Sequence, residues 1–315
     1  MTKGGDEGGG LYLGIEIGGT KLQVCMGHGD GRIAERLRFT VDPASGAAGI
    51  RSQLEKTIPT LARRIRPVAL GVGFGGPVDW NNGRICHSHQ IEGWPEFPLG
   101  EWLGDLAGAP VRVENDANLG ALGEASRGAG AGFRTVFYVT LGSGVGGGMV
   151  IDGQIYHGAT PGEAEIGHVR LDRSGTTLES RCSGWAVDAR IRVTKVSHPA
   201  SALAKLVVGA TANEAKFLNA ALAANDPVAE KILNDTADDL GFGLSHVAHL
   251  FHPEIIVLGG GLALVGEPLR KAVAESLSRY VMDVFAPGPK IAPARLQEDA
   301  VPAGALLLAG RSGLS

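Results

Sequence analysis

A carboxylate set among amides, Glu114-Asn115-Asp116-Ala117-Asn118, stands between two glycine-rich turns, Gly18-Gly19-Thr20 and Gly142-Ser143-Gly144-Val145-Gly146-Gly147-Gly148. Each turn interrupts an apolar, strand-like run, Leu11–Cys25 in one case and Thr135–Ile151 in the other. Glycines beside a hydroxyl residue offer one anion several backbone N–H groups and a side-chain donor, because glycine permits close approach and positive φ. Two such turns from two halves of a chain suit a polyphosphate gripped from both sides. An aspartate between them suits activation of an acceptor for phosphoryl transfer.

Each feature also has a plainer reading. A glycine pair in a hairpin can be turn chemistry alone, but its recurrence in the second half, with a third run at Gly259-Gly260-Gly261 between an apolar strand and a helix, converges on ATP. None of the three fits the Walker pattern or the dinucleotide fingerprint. Asp116 could simply cap a helix. Asn115 and Asn118 add polar groups that a cap does not need, whereas a sugar hydroxyl needs both donors and acceptors. Glu165, His168 and Glu179 read in isolation as solvated surface, and His246, His249 and His252 as studs on one helix without metal. His87 and His89 lie on an extended segment before Gly93-Trp94 and could line a site, while the four tryptophans are too scattered for a stacking platform.

The elements that must position these residues follow from periodicity. Leu11–Ile17, Lys21–Met26 and Ile33–Phe39 read as a β-meander, and Gly46–Ile65 as an amphipathic helix bent at Pro59. Val68–Phe74 reads as a strand covered on both faces, Leu99–Leu106 as a helix and Val111–Glu114 as a strand. Asp116–Arg127 is then a helix, with Asp116 at the carboxyl end of a strand, where open α/β sheets place ligands. Strands Thr135–Leu141, Gly147–Ile151 and Gln154–His157 echo the first meander. Helices Ala212–Ala224 and Pro227–Phe251, strand Ile255–Leu258 and helices Glu267–Tyr280 and Val301–Ala309 complete the pattern, the last folding back on the first domain.

At 315 residues the chain exceeds the usual size of one core, so two domains with a cleft between them are expected: 11–118 with about 298–315, and 119–297, after a flexible leader at 1–10. A net charge of -4 gives no basic field for nucleic acid or anionic membrane. No apolar run approaches the ~20 residues of a membrane span and no signal sequence opens the chain, which points to the cytoplasm. Three dispersed cysteines, Cys25, Cys86 and Cys182, form neither a disulfide framework nor a zinc knuckle.

The order of Gly14-Ile15-Glu16-Ile17-Gly18-Gly19-Thr20-Lys21, Gly75-Gly76-Pro77-Val78-Asp79, Glu114–Asn118, Gly144–Gly148 and Glu165-Ile166-Gly167-His168 resembles that of the ROK family of bacterial sugar kinases and repressors, from about residue 11 to 310. The resemblance implies an α/β fold of two related actin/hexokinase-type (ribonuclease H-like) domains closing on ATP-Mg and a hexose. By position, it makes Asp116 the general base and Asn115, Glu165, His168 and Glu179 the sugar-hydroxyl ligands, with Gly76 and Gln90 beside them. Gly18, Gly19, Thr20 and Lys21 match one phosphate turn, Gly142, Ser143 and Gly144 the other, and Gly259, Gly260 and Gly261 the nucleoside side. Glu16 matches the acidic residue that holds Mg²⁺ through water. A homodimer or homotetramer is implied as well.

Two departures matter. The stretch Arg170–Glu179 lacks the cysteines with which many members bind zinc, so structural zinc is not expected and His168 loses that means of orientation. Gln90 stands near the place of a sugar-contacting asparagine, which moves a donor by one carbon–carbon bond and leaves the sugar open. Only ten residues precede the first strand, so a kinase rather than a DNA-binding repressor is expected. The reading is an ATP-dependent, glucokinase-like hexose kinase. The alternatives are an idle sugar sensor, an N-acetylhexosamine kinase or fructokinase, or a phosphatase or ATPase on the same fold.

Overall fold

The computed structural model describes residues 10–87, 92–160, 162 and 164–311. The chain divides into two units, residues 1–123 with 157–163 and 298–315, and residues 124–156 with 164–297.

In the first unit, β1 (Tyr12–Ile17), β2 (Lys21–Gly27) and β3 (Ile33–Thr40) form an antiparallel meander. Helix α1 (Gly46–Ile65) leads to β4 (Leu70–Phe74), which pairs parallel with β1. A small ribbon of β5 (Val78–Asp79) and β6 (Arg84–Ile85) and helix α2 (Leu99–Ala107) precede β7 (Val111–Asn115), parallel to β4. The sheet order is β3-β2-β1-β4-β7. Helix α3 (Asp116–Arg127) starts at the residue after β7.

The second unit repeats this plan. Strands β8 (Thr135–Leu141), β9 (Val145–Ile151) and β10 (Gln154–Ile155) make the meander. Helices α4 (Leu178–Cys182), α5 (Gly184–Ser197), α6 (Ala202–Leu206), α7 (Leu218–Ala223) and α8 (Pro227–Phe251) follow. Next come β11 (Ile255–Gly259), α9 (Glu267–Tyr280) and β12 (Lys290–Pro293), both strands parallel to β8 and to each other in the order β10-β9-β8-β11-β12. Helix α10 (Ala300–Gly310) returns to the first unit.

Two packing rules hold the first sheet. Leu13, Ile15 and Ile17 of β1 share a core with Ile50, Leu54, Ile58 and Leu61, which recur at helical spacing along α1. The other face bears Gly14 and Gly71, directly opposed in the β1–β4 register. A Cβ on Gly71 would stand 1.9 Å from the Ala305 carbonyl oxygen, and one on Gly14 3.1 Å from that of Pro302, so α10 lies with its backbone against the sheet. Gly123 of α3 and Gly304 of α10 make the same approach. The second core gathers Phe137, Val139 and Leu141 with Leu240, Leu244, Val273 and Leu277.

Elements that sequence reading mistook have local causes. The helix expected over Ala212–Ala224 is a 3-10 turn, Glu214–Phe217, followed by the short α7. Asn213 is left-handed at φ 57°, and the Asp188 carboxylate accepts from the N–H groups of Asn213 and Ala215, which fixes the break. The stretch between His168 and residue 212, unassigned from periodicity, contains α4, α5 and α6, started by the side-chain caps Thr177, Ser183 and Ser201. Strand β10 stops at Ile155, short of the expected His157.

Gly71→Ala forces the sheet and α10 apart and should lower the unfolding free energy by about 1–3 kcal/mol, the usual range for overpacking. A urea midpoint equal to the parent's would contradict that packing account.

Candidate active site

In the first unit, Asn115 caps α3. Asn115 Oδ1 accepts from Ala117 N at 2.8 Å and Asn118 N at 3.2 Å, and its Nδ2 donates to the Gly76 carbonyl at 3.1 Å. The Asp116 carboxylate faces Gly75, where Oδ2 lies 3.4 Å from the position a Cβ would take. The same position is 3.5 Å from the Ile17 carbonyl oxygen and 3.6 Å from Gly18 Cα. Asp116 and the first glycine turn therefore meet across a residue without a side chain. The turn closes by Gly18 N donating to Lys21 O at 2.8 Å. Neither Gly18 nor Gly19 has positive φ, so these glycines supply room, not an unusual backbone.

Glu16 and Gln23 face each other in the β1–β2 register, and Gln23 Nε2 donates to Glu16 Oε2. Lys21 Nζ lies 3.2 Å from the same oxygen, so the lysine matched to the phosphate turn is paired with the carboxylate matched to the metal. Glu114, part of the motif but given no role by sequence reading, is buried with both oxygens engaged. Its Oε1 accepts from Asn115 N and Asn118 Nδ2, and its Oε2 lies 2.6 Å from His157 Nε2. No spacing in the sequence marks His157.

In the second unit, the Glu179 carboxylate accepts from Val145 N at 2.8 Å, and a Cβ on Gly144 would collide with it at 2.5 Å. The turn is closed by Gly142 N donating to Gly144 O, and Gly184 N donates to Gly142 O at 2.7 Å. Gly260, at φ 81°, lies on the backbone of Leu141, which sets the third glycine run beside the second. Glu165 and His168 are exposed at the two ends of the 3-10 turn Ile166–His168, where His168 N donates to Glu165 O. Gly167 presses that turn on β9, for its Cβ would stand 2.2 Å from Val145 O. Gln90 and His89 lie outside the described residues.

The stretch Arg170–Glu179, which lacks cysteines, is ordered by a carboxylate. Asp172 accepts from Ser174 N, Ser174 Oγ, Gly175 N and Thr176 N, and these bonds, that of the Ser174 hydroxyl first, hold its carboxyl far below the usual carboxylate range. Leu171 N→Thr176 O and Leu178 N→Val169 O close the loop around it. Cys182 is buried against Thr236, and burial pushes its thiol up to about 12. His249 accepts from Met282 N and His252 stacks on Phe285, and no group of three or more potential metal-ligating side chains occurs among the described residues. No helix among them is long and apolar enough to cross a membrane.

Twin five-stranded sheets, each a meander extended by two parallel strands and carrying a glycine turn between its first two strands, define a two-unit phosphoryl-transfer fold of the actin/hexokinase type. The chain belongs to the ROK family, whose pattern matches residues 12–312. It is 32% identical over 304 residues to a glucokinase of Halalkalibacterium halodurans, covering 92% of each chain. It is 30% identical to a glucokinase of Thermotoga maritima, covering 91% of this chain and 93% of the relative. Among solved structures it matches a ROK family glucokinase from Streptomyces griseus in complex with glucose and AMPPNP, at 30% identity and a TM-score of 0.85, covering 96% of this chain and 100% of that one.

Because Asp172 is more acidic folded than unfolded, its bonds stabilise the loop above the unfolded carboxyl value of about 4, and that contribution disappears as pH falls below it. Amide exchange of residues 174–176, corrected for intrinsic rates, should accelerate on acidification, and Asp172→Ala should produce the fast exchange already at neutral pH. Native protein should protect buried Cys25 and Cys182, but not half-buried Cys86, from a thiol reagent at pH 8, and denaturation should expose the two protected thiols. Prompt labelling of Cys182 in folded protein would refute its burial.

Proposed function

We propose that this chain transfers the γ-phosphoryl group of ATP to a hydroxyl of a hexose, with glucose the first substrate to test. The observation that carries the reading is the placement of Asp116 at the start of α3, directly after β7, with its carboxylate facing Gly75 and the Gly18 backbone on the other side of that residue. Asp116 takes the proton of the attacking hydroxyl as the new O–P bond forms and the bond to the ADP leaving oxygen breaks. Glu165, His168, Asn115, Gly76 and Glu179 are assigned to the sugar. Glu179 also holds the Val145 N–H, so it can couple sugar binding to the shape of the second glycine turn.

Gly18 and Gly142 spend their own N–H groups on turn closure, and Gly19, Thr20, Ser143 and Gly144 are assigned to the phosphates. Gly259, Gly260 and Gly261 are assigned to the nucleoside. A Mg²⁺ ion fits beside Glu16. Buried Gln23 holds that carboxylate and keeps an acceptor, Oε1, with no partner among the described residues, which suits a metal-bound water. When bound, the ion supplies charge neutralisation on the β- and γ-phosphates. The glucose and AMPPNP bound by the Streptomyces griseus relative support both substrates.

Asp116→Asn keeps the shape of the side chain and removes the base, so kcat should fall at least roughly 10²-fold while the KM for ATP stays nearly constant. The measurement is ADP release with Mg-ATP against a panel of hexoses and N-acetylhexosamines. Equal ADP release with and without every sugar would sink the kinase reading in favour of an ATPase.

A further inference from the structure

We propose that His157 is a positioning residue for Asp116, acting through the buried carboxylate of Glu114; the inference rests on the kinase reading above. The Glu114 side chain is 4% exposed, and its Oε2 lies 2.6 Å from His157 Nε2. The other oxygen, Oε1, accepts from Asn115 N at 2.8 Å and Asn118 Nδ2 at 3.0 Å. Asn115 in turn receives Ala117 N and Asn118 N and donates to Gly76 O. Every bond in this chain of contacts ends on a residue that flanks Asp116 or on the glycine segment that its carboxylate faces.

The imidazole is itself held in place. Trp80 stacks on it with ring centroids 4.0 Å apart and planes 19° apart. His157 stands two residues beyond β10 and begins segment 157–163, which groups with the first unit before the chain goes on to Glu165 and His168. One side chain thus anchors the segment that leads to the proposed sugar ligands onto the strand end that carries the proposed base. Removing the imidazole leaves a buried carboxylate oxygen without its donor, a state that folded proteins relieve by rearrangement. The groups free to rearrange are Asn115 and Asn118, whose positions fix the first turn of α3. Displacing a general base by a fraction of an ångström slows the chemical step and leaves ground-state binding largely intact.

The test compares His157→Ala, His157→Gln, Glu114→Gln and the double variant His157→Ala/Glu114→Gln, each confirmed folded by circular dichroism, in the ADP-release assay on the sugar that the parent uses. His157→Ala should lower kcat about tenfold with both KM values within about twofold, the pattern of an interaction felt in the transition state. His157→Gln, whose amide can present an N–H to Glu114, should recover most of that loss. The double variant should be no slower than the slower single variant, because both changes break one contact. An unchanged kcat in His157→Ala, a loss carried by KM, or multiplied losses in the double variant would each overturn the proposal. If His157→Ala does not fold, His157→Gln and Glu114→Gln carry the test: near-parent kcat in the first with a fall in kcat alone in the second supports it, and any other pair of results refutes it. If the parent itself phosphorylates no hexose, the kinase reading falls and this inference with it. A working parent with an unaffected His157→Ala removes the inference alone.

Discussion

Backbone lying directly on backbone is the constraint from which the rest of this structure follows. A helix normally stands off a sheet by the thickness of two side-chain layers. Here Gly14 and Gly71 remove the sheet's layer and α10 settles into the groove they leave, while Gly304 lets the same helix press on Leu119 of α3. The second unit repeats the device on a smaller scale, where Gly147 and Gly167 let the turn carrying Glu165 and His168 press on β9. The 49 glycines of the chain are in good part this requirement for room. At the first glycine turn the same economy leaves Asp116 separated from Gly18 by a residue that has no side chain to intervene.

Neighbouring residues divide labour that one residue could not perform. A carboxylate at a helix start ordinarily accepts the first N–H groups of the helix. Asn115 does so here, and Asp116, one residue further on, has a carboxylate oxygen facing Gly75. Glu179 shows the opposite arrangement, a carboxylate from the first turn of α4 lent to a glycine turn far from it in sequence. Both depend on short polar side chains, Asn115 for one and the cap Thr177 for the other, that fix helix starts to within a residue.

Long periodic elements were legible in the sequence. Helices Asp116–Arg127, Pro227–Phe251 and Glu267–Tyr280 have the boundaries that periodicity gives them, because each carries an uninterrupted apolar stripe. The region from Arg170 to Ala224 was not legible, because its helices are short and are started by single side-chain caps, and by a contact from Asp188 twenty-five residues distant from Asn213. The glycine turns and the acidic motif could be read because their residue types and order recur in a family. The division of work within the motif could not, since whether Asn115 or Asp116 caps α3 depends on side-chain rotation. His157 gave no signal at all, because a histidine after a strand says nothing of a carboxylate forty-three residues earlier in the chain.

The position of α10 along the chain has a bearing on how the protein is made. The strands that α10 covers are finished with Phe74, yet α10 begins only at Ala300. On a ribosome that releases a chain from its N-terminal end, the glycine groove of β1 and β4 is exposed throughout synthesis of the entire second unit. The first sheet must therefore wait, unpacked on one face, for the last helix of the described chain, so the two units cannot mature one after the other like beads on a string. Nascent chains stalled before residue 300 should be where chaperones find their longest-lived apolar surface on this protein.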